Sequence, residues 1–388
     1  MNKMQRILAV LVVLGIFAAA CTADDTAPTT PDDTTQTDPG TTDTTAPGST
    51  DPSTPVTGQT GGATLDEVRA RGVLKCGVSG GAVAFSETQS DGSMTGFDAD
   101  MCRAVAAAVL GDSTAVEFSA LTAAERFTAL AAGEVDLLIR NTTWTQSRDT
   151  TLGLDFGPTT YYDGQGVMGR ASDGFTADST LADVDGAVLC TNAGTTTEKN
   201  ISEGAALAGA TIVLSTVAEF AEAMEGFKQG SCDLVTTDAS GLVGNMVTAI
   251  RDGEIAEGDW VVFPRAPISK EPLGPLYRQN DSQWADIINW TVYATFIADE
   301  LDVTSANVDS VVGDADLNPE LARLLGVSDE ELQTGMGLDA EAFYNVISQV
   351  GNYGEIFDRN LNPVGIFREG TPNAQWNQGG LIYAPPAR

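Results

Sequence analysis

Between residues 73 and 139, short apolar runs alternate with longer stretches whose apolar residues recur at helical spacing. In the first such stretch, residues 96–111, the apolar side chains share one helical face and a glycine follows the last of them. We predict that Asp98 caps this helix, and that Thr122 and Glu125 form a capping box on the next. The order strand, helix, strand, helix, strand predicts a parallel sheet with helices on its faces.

The same order of elements returns between residues 187 and 238. Thr216 and Glu219 again stand at capping-box spacing before the second helix. Both copies repeat the spacing of a glycine, an aspartate and a leucine, which are Gly133, Asp136 and Leu137 in one and Gly230, Asp233 and Leu234 in the other. Asn141 and Asp238 each follow the repeated aspartate by five residues. Both are therefore expected at the carboxyl end of a parallel strand, where open α/β sheets hold their ligands.

Two α/β units with facing strand ends predict a two-lobed α/β fold with a cleft between the lobes. We assign residues 63–160 and 277–388 to a discontinuous lobe 1, and residues 161–276 to lobe 2. The chain is expected to cross between lobes near residues 157–166 and again near 272–278, with the helices of the last hundred residues packing on lobe 1. No physical account follows for the Gly- and Asn-rich tail at residues 351–383.

The first 21 residues have the layout of an export signal: Lys3 and Arg6 precede an apolar run that ends in small residues and Cys21. A cysteine after three alanines resembles the lipobox of bacterial lipoproteins, which implies that Cys21 becomes a lipidated first residue. Ala18 departs from the leucine that is usual there. The alternative is ordinary secretory cleavage with a leftover cysteine.

Residues 22–62 are built almost entirely from Thr, Asp, Pro, Gly, Ser and Ala, with seven Asp and no Lys or Arg. This composition predicts a disordered tether of roughly 35 Å or more. Residues 63–388 then carry a formal charge of −29, which repels nucleic acid and anionic lipid, so we expect no nucleic-acid partner and membrane contact only through the lipid. A salt-rich habitat is one hypothesis for this acidity.

Four cysteines remain beyond Cys21, and an exported protein meets an oxidising compartment. Three pairings are possible in principle. Because the predicted elements place one pair in each lobe, we predict the disulfides Cys76–Cys102 and Cys190–Cys232. The spacings fit no zinc site and the chain contains no histidine, so neither a metal site nor a cofactor is expected.

Two charged residues stand out at the expected cleft. A zwitterionic amino acid needs a planar cation for its carboxylate and an acid for its ammonium group, and Arg148 and Asp238 supply these charges from different lobes. Uncharged donors and acceptors follow in the two matching segments, namely Asn141, Thr142, Thr143, Thr195 and Thr196. The alternatives are that Arg148 pairs with Asp149 on the surface, that Asp238 only begins a turn, and that one or two threonines only cap a helix.

With these residues, the sequence resembles the solute-binding proteins of polar amino-acid ABC importers, and most closely their general L-amino-acid-binding branch. The resemblance covers essentially residues 64–388. It rests on segments such as TLDEVRARGVLKCGV, GFDADMCRAVAAAVLGD, RNTTWTQSRDTTLGLDF, TTDASGL, SKEPLGP and WNQGGLIYAPP. It implies a type II periplasmic-binding-protein-like fold, no enzymatic activity, a free L-amino acid as ligand, a membrane permease as partner and a monomer outside the cytoplasmic membrane.

The resemblance also implies roles for individual residues. Arg148 would bind the ligand carboxylate and Asp238 its ammonium group, with Asn141, Thr143, Thr195 and Thr196 completing the head-group site. Where relatives for basic amino acids have an acid and an aromatic lid, this chain has Ser79 and Ala82, which implies a roomy pocket of broad specificity. Phe85 is the nearest aromatic, as a ligand-stacking residue or a core residue.

Two other functions remain as alternatives. An enzyme on the same scaffold, a dehydratase or a lyase, would need a poised acid or base in the cleft, and none is evident. A sensory module would pass the closed form to a chemoreceptor or a sensor kinase instead of a permease.

Overall fold

We analysed a computed structural model that describes residues 63–314, 317–330 and 332–388. The predicted export signal, Cys21 and the tether lie outside these described residues. Within the described part of the chain, no helix combines the length and the apolar character that a bilayer crossing requires.

The chain builds the first part of lobe 1 from seven strands and four helices. In chain order these are α1 (Ala63–Arg71), β1 (Leu74–Val78), β2 (Gly81–Ala82), β3 (Ser86–Thr88), β4 (Met94–Thr95), α2 (Phe97–Leu110), β5 (Val116–Ala120), α3 (Arg126–Ala131), β6 (Leu137–Leu138), α4 (Gln146–Thr151) and β7 (Leu154–Phe156).

Lobe 2 follows without interruption. Its elements are β8 (Tyr161–Arg170), β9 (Val188–Asn192), α5 (Thr196–Leu207), β10 (Val213–Val217), α6 (Phe220–Gln229), β11 (Leu234–Asp238), α7 (Ala239–Arg251), β12 (Trp260–Phe263) and β13 (Lys270–Leu273), with 3₁₀ turns at Ala171–Asp173 and Leu181–Val184.

The chain then returns to the first sheet and adds a helical region to it. These elements are β14 (Leu276–Arg278), α8 (Ser282–Glu300), α9 (Val308–Val312), α10 (Pro319–Leu324), α11 (Leu332–Gly335), α12 (Ala342–Gln349) and α13 (Tyr353–Asn360), with 3₁₀ turns at Asn362–Val364 and Trp376–Gln378.

Each lobe contains one mixed sheet, and the two sheets share a strand order. Lobe 1 has the order β5-β1-β6-β14-β7 and lobe 2 the order β10-β9-β11-β8-β12. In both, three neighbouring strands are parallel and the fourth runs against them, because that fourth strand is the one through which the chain enters from the other lobe. The predicted two-lobed α/β fold, with a parallel-dominated sheet in each lobe, is confirmed.

The two strands that join the lobes pair with each other. The first half of β8 and all of β13 are antiparallel, with Tyr161 opposite Leu273 and Gly164 opposite Lys270. Thr143, just beyond β6, bridges to Leu273 at the lobe 1 end of this pair. The connection is therefore a short two-stranded ribbon.

The sequence repeat has a structural counterpart in each lobe. The Asp136 carboxylate accepts a hydrogen bond from the N–H of Lys75 at 2.8 Å, and the Asp233 carboxylate accepts one from the N–H of Val188 at the same distance. Each aspartate therefore anchors the beginning of its own strand to the neighbouring strand. Asn141 and Asp238 consequently leave equivalent strands at equivalent heights.

Two of the three predicted helix caps are wrong. Thr122 and Glu125 do exchange side-chain to backbone bonds, at 3.2 and 3.3 Å. Asp98, by contrast, lies inside the first turn of α2, which Gly96 caps, and its carboxylate accepts the N–H of Asn141. Thr216 belongs to β10, and α6 begins after Glu219 with no side-chain cap. Tertiary structure overrides the local pattern in both cases, because Asp98 binds the backbone of Asn141 and Thr216 forms part of a strand.

Both predicted disulfides are confirmed. Cys76 of β1 bonds to Cys102 of α2, with their Cα atoms 6.2 Å apart. Cys190 of β9 bonds to Cys232, which directly precedes β11, with Cα atoms 5.9 Å apart. Each bond ties elements of one lobe, and each closes a loop whose entropy loss in the unfolded chain is worth roughly 3 to 4 kcal/mol. Neither disulfide restricts movement of one lobe against the other.

The C-terminal tail, for which the sequence offered no account, braces the connecting ribbon. The side-chain amide of Asn373 accepts from the N–H of Tyr162 at 2.7 Å and donates to the carbonyl of the same residue at 3.0 Å. Tyr353 donates through its hydroxyl to the carbonyl of Thr160. The tail is therefore part of the framework that holds the first crossover strand in place.

Candidate functional site

A cavity of about 370 Å³ lies between the lobes. Nearly every residue that lines it follows the carboxyl end of one of six parallel strands, three in each lobe. In lobe 1 these are β1, β5 and β6, and in lobe 2 they are β9, β10 and β11. The two sheets thus direct their ligand-binding edges at one common space, as open α/β sheets generally do.

All seven residues that we proposed for ligand binding border this cavity: Phe85, Asn141, Thr143, Arg148, Thr195, Thr196 and Asp238. Thr142 does not border it, because its hydroxyl is buried and donates to the carbonyl of Arg140. The structure shows that these seven residues lie around one cavity. The ligand contacts themselves remain a proposal.

Arg148 lies in the first turn of the short helix α4, where the hydroxyl of the N-cap residue Thr145 accepts a hydrogen bond from the backbone N–H of the arginine. The side chain is buried, its Nη1 donates to the carbonyl of Thr143 at 2.9 Å, and the guanidinium lies 5.2 Å from the ring centre of Phe127. It forms no ion pair with Asp149. Burial lowers the pKa of this guanidinium to about 10, and an anion in the cavity would reverse that penalty.

Asp238 ends β11 and immediately precedes α7, yet its side chain makes no capping bond. Its Oδ1 atom is buried and has no hydrogen-bond partner among the residues that the structure describes. Burial, followed by the nearby carboxylates of Asp163 and Glu271, raises the pKa of Asp238 well above its usual value. A cationic group in the cavity would form an ion pair with the Asp238 carboxylate and lower its pKa again.

Glu271 is a central residue that the sequence analysis missed. This buried carboxylate of β13 accepts hydrogen bonds from Thr143 of lobe 1 at 2.6 Å and from Thr196 of lobe 2 at 2.9 Å. Asn200 of α5 donates to its other oxygen at 2.9 Å. The crossover strand thus carries an acceptor that both lobes share. One glutamate between a lysine and a proline has no periodic signal that would reveal this role.

The threonines at the cavity have different roles: one caps a helix, and two bind Glu271. Thr195 is the N-cap of α5: its hydroxyl accepts from the N–H of Glu198 at 3.0 Å and donates to the carbonyl of Asn192 at 2.8 Å. Thr143 and Thr196 both donate hydrogen bonds from their hydroxyl groups to Glu271, and their two hydroxyl oxygens are 3.3 Å apart across the lobes. The first N–H groups of α5 remain for an anion, since they have no partner within the helix.

Phe85 is buried in an aromatic cluster at the back of the cavity. Its ring packs edge-on against Tyr161 at 5.2 Å and Phe97 at 5.9 Å, and only 1% of the residue is exposed. The ring therefore contributes to the lobe 1 core as well as to the cavity wall. Its stacking on a ligand remains a proposal.

Two further arginines of lobe 1, which the sequence analysis also missed, line the same cavity. Arg126 opens α3 and Arg140 follows β6, with 2% and 7% of the residue exposed. Of seven buried side-chain atoms without a hydrogen bond in the described residues, three belong to cavity residues: Arg126 Nε, Asn141 Oδ1 and Asp238 Oδ1. Native proteins leave few such atoms unpaired, which marks the cavity as a polar site that awaits a partner.

The acids around the cavity do not form a metal centre. In residues 63–314, 317–330 and 332–388, no group of three or more potential metal ligands is close enough to hold an ion. Asp163 is hydrogen-bonded to the hydroxyl of Ser240 and to the N–H of Gly164. Glu219 and Asp238 line the cavity, where a small organic cation could be held by charge and hydrogen bonds.

Comparisons with known proteins agree with this geometry. The sequence profile of the bacterial extracellular solute-binding proteins, family 3, matches residues 74–306. The glutamate/glutamine/aspartate/asparagine-binding protein BztA of Rhodobacter capsulatus is 44% identical over 336 residues, which cover 86% of this chain and 96% of that protein. The general L-amino acid-binding periplasmic protein AapJ of Rhizobium johnstonii is 44% identical over 329 residues, or 84% of this chain and 93% of the relative.

A solved structure is similar as well. A periplasmic binding protein of an ABC transporter from Brucella ovis, with glutathione bound, has 45% sequence identity and a TM-score of 0.77. The match covers 84% of this chain and 99% of the other. The similarity therefore extends through both lobes and includes the edges that form the cavity.

The buried acids predict how the stability of the unliganded protein depends on pH. Burial raises the pKa of Asp98 to about 7 and that of Asp163 to about 6, so the folded state binds protons more tightly than the unfolded one. The contribution of these two acids to the free energy of unfolding is fully present below about pH 4, where an unfolded aspartate is protonated, and should fall by on the order of 3 kcal/mol as the pH rises from about 5 to about 7.

Thermal unfolding at pH 5 and pH 8 measures this loss. Asp98→Asn keeps an oxygen for the N–H of Asn141 but cannot ionise, so it should remove the larger part of this loss and leave the part that belongs to Asp163. An unchanged profile in that variant would contradict the assignment.

Proposed function

Because this chain belongs to the bacterial extracellular solute-binding proteins of family 3, we propose that it captures free L-amino acids between its lobes and delivers them to the membrane permease of an ABC importer. It is a solute-binding protein and not an enzyme. Its place of action is outside the cytoplasmic membrane. The relatives at 44% identity bind amino acids according to their names, which supports this ligand class.

One observation carries the proposal: a cation and an anion from different lobes line one cavity, and neither is ion-paired with another described residue. Arg148 follows β6 of lobe 1, and the unsatisfied Asp238 oxygen ends β11 of lobe 2. An α-carboxylate bound at Arg148 and an α-ammonium bound at Asp238 would neutralise both buried charges. One molecule that contacts both lobes stabilises the closed arrangement over an open one.

The breadth of the ligand range follows from the cavity wall. The first loop contributes Ser79, Gly80, Gly81 and Ala82, which leave open space, and the cavity of about 370 Å³ exceeds what a small amino acid fills. The general amino-acid binding named for one relative and the glutathione held by the solved relative are consistent with a roomy site. We therefore propose broad specificity with a common head-group site.

The closed arrangement has its own lobe-to-lobe bonds. Glu271 accepts from Thr143 and Thr196, and the hydroxyls of those threonines contact each other across the lobes. In this proposal these bonds tie closure to the head-group site, since Arg148 also donates to the carbonyl of Thr143. A ligand carboxylate at Arg148 thus acts on the segment that touches lobe 2.

Replacing Arg148 tests the carboxylate site. Arg148→Met removes the charge and keeps an apolar stem, and should weaken the binding of every amino acid by about 10- to 150-fold, the loss expected for one or more charge-assisted hydrogen bonds. Isothermal titration with L-glutamine and L-leucine measures it. Arg251→Met is the matched control, because Arg251 is exposed in lobe 2 and pairs with Asp252. Equal affinity in the Arg148 variant and the control would refute the carboxylate site.

Replacing Asp238 tests the ammonium site separately. Asp238→Asn removes the negative charge and should weaken amino acids at least about 10-fold more than the corresponding deaminated acids, which have no ammonium group. Competition titrations with L-leucine and 4-methylpentanoate give the ratio, with the exposed Asp252→Asn as control. A uniform loss for both ligands would contradict the assignment.

The lipid anchor belongs to the same proposal. We propose that Cys21 is lipidated and that residues 22–62 hold the binding lobes near the membrane surface. Intact-mass analysis of detergent-extracted protein should show an acylated Cys21 as the first residue, and Cys21→Ala should release the protein from the membrane fraction. An unmodified cysteine in a soluble wild-type protein would overturn the anchor but not the binding function.

A further inference from the structure

Arg126 carries a buried charge that the proposed head-group site does not use. Only 2% of the residue is exposed, and it forms no ion pair with any described residue. Its side chain makes no hydrogen bond within the described chain, and its Nε is buried without a partner. Its guanidinium carbon lies 4.6 Å from the centre of the Phe127 ring. A buried guanidinium in this state costs several kcal/mol unless an anion joins it.

The neighbours of Arg126 increase this cost. After burial itself, the like charges of Arg140 and Arg148 lower the pKa of Arg126 further, and the charge of Asp238 acts in the other direction. In the proposed function Asp238 is occupied by the ligand ammonium group. Arg126 then faces two cations and retains no anion of its own.

Arg140 is better compensated within the protein. Its Nε donates to the carbonyl of Leu121 at 2.8 Å, and the carboxylates of Glu219 and Asp98 both oppose the effect of burial on its pKa. Arg140 therefore adds positive potential to this end of the cavity, whereas Arg126 has free donors for a ligand. Three arginines converge on the cavity, and an α-carboxylate accounts for only one of them.

The position of Arg126 fits a second anionic group on the same ligand. Phe127 contacts both Arg126 at 4.6 Å and Arg148 at 5.2 Å, so the separation of the two guanidinium carbons is bounded by the sum of these distances. Two guanidinium groups within that bound are close enough for the two carboxylates of one five-carbon α-amino dicarboxylate to contact both. Both arginines belong to lobe 1, so such a ligand would lie along the edge of the first sheet and present its ammonium group to lobe 2.

We propose that Arg126, supported by Arg140, forms a subsite for a second carboxylate of the ligand, so that the protein binds acidic amino acids in preference to their neutral amides. This inference rests on the proposed function, since it assumes Arg148 and Asp238 at the amino-acid head group. The second carboxylate can belong to a glutamate side chain or to the far end of a γ-glutamyl peptide. The cavity of about 370 Å³ has room for either.

Glutamate and glutamine are the matched probes, because they have nearly the same size and differ in the side-chain charge. The wild-type protein should bind L-glutamate at least about 10-fold more tightly than L-glutamine in isothermal titration at pH 7.5. Arg126→Met should lower the affinity for glutamate about 10- to 100-fold more than that for glutamine and so remove the preference. Arg126→Lys keeps the charge without the planar fork, and should give an intermediate ratio.

Measurable binding of glutamine to Arg126→Met also shows that the variant is folded. If the variant does not fold, the ratio of the wild-type affinities for glutamate and glutamine still tests the subsite. The exposed Arg251→Met should leave both affinities as in the wild type. S-Methylglutathione separates the two sources: tighter binding than glutamate, lost on the same substitution, would assign the second carboxylate to a peptide.

A wild-type protein that binds glutamate and glutamine equally, or an Arg126→Met variant that loses both to the same extent, would overturn the subsite and leave the proposed function intact. A wild-type protein that binds neither would overturn both.

Discussion

The structure depends on charges that are buried at the boundary between two lobes and that form no ion pair with any residue the structure describes. Arg126 and Arg148 form no ion pair, and Asp238 keeps an oxygen without a hydrogen bond, yet all three border one cavity. Such groups are costly in an empty protein, and complementary in a protein that holds a zwitterion. Binding energy from this complementarity is what can hold two otherwise independent lobes together.

The fold explains how the charges reach the same place. Two sheets of equal strand order present the carboxyl ends of three parallel strands each, and a two-stranded ribbon turns those ends toward one another. Glu271 lies on that ribbon and is shared by the hydroxyls of Thr143 and Thr196. The disulfides stay within the lobes, so rigidity is built into each lobe and movement is left to the connection.

Local sequence patterns predict much of this architecture. The repeat around Asp136 and Asp233 predicted equivalent strands, and those strands led to Asn141 and Asp238. Glu271, Arg126 and Arg140 were missed because their roles arise only when distant segments meet: an arginine at the beginning of an amphipathic helix looks like a solvated residue. Asp98 was predicted as a cap for the same reason, since its partner Asn141 is 43 residues away.

A crystal structure of the protein with L-glutamate bound tests the central claim most directly. The account predicts the α-carboxylate in a bidentate contact with Arg148, the ammonium group within hydrogen-bond distance of Asp238, and both lobes in contact with the one ligand. An amino acid bound by a single lobe, or one whose ammonium group points away from Asp238, would contradict it.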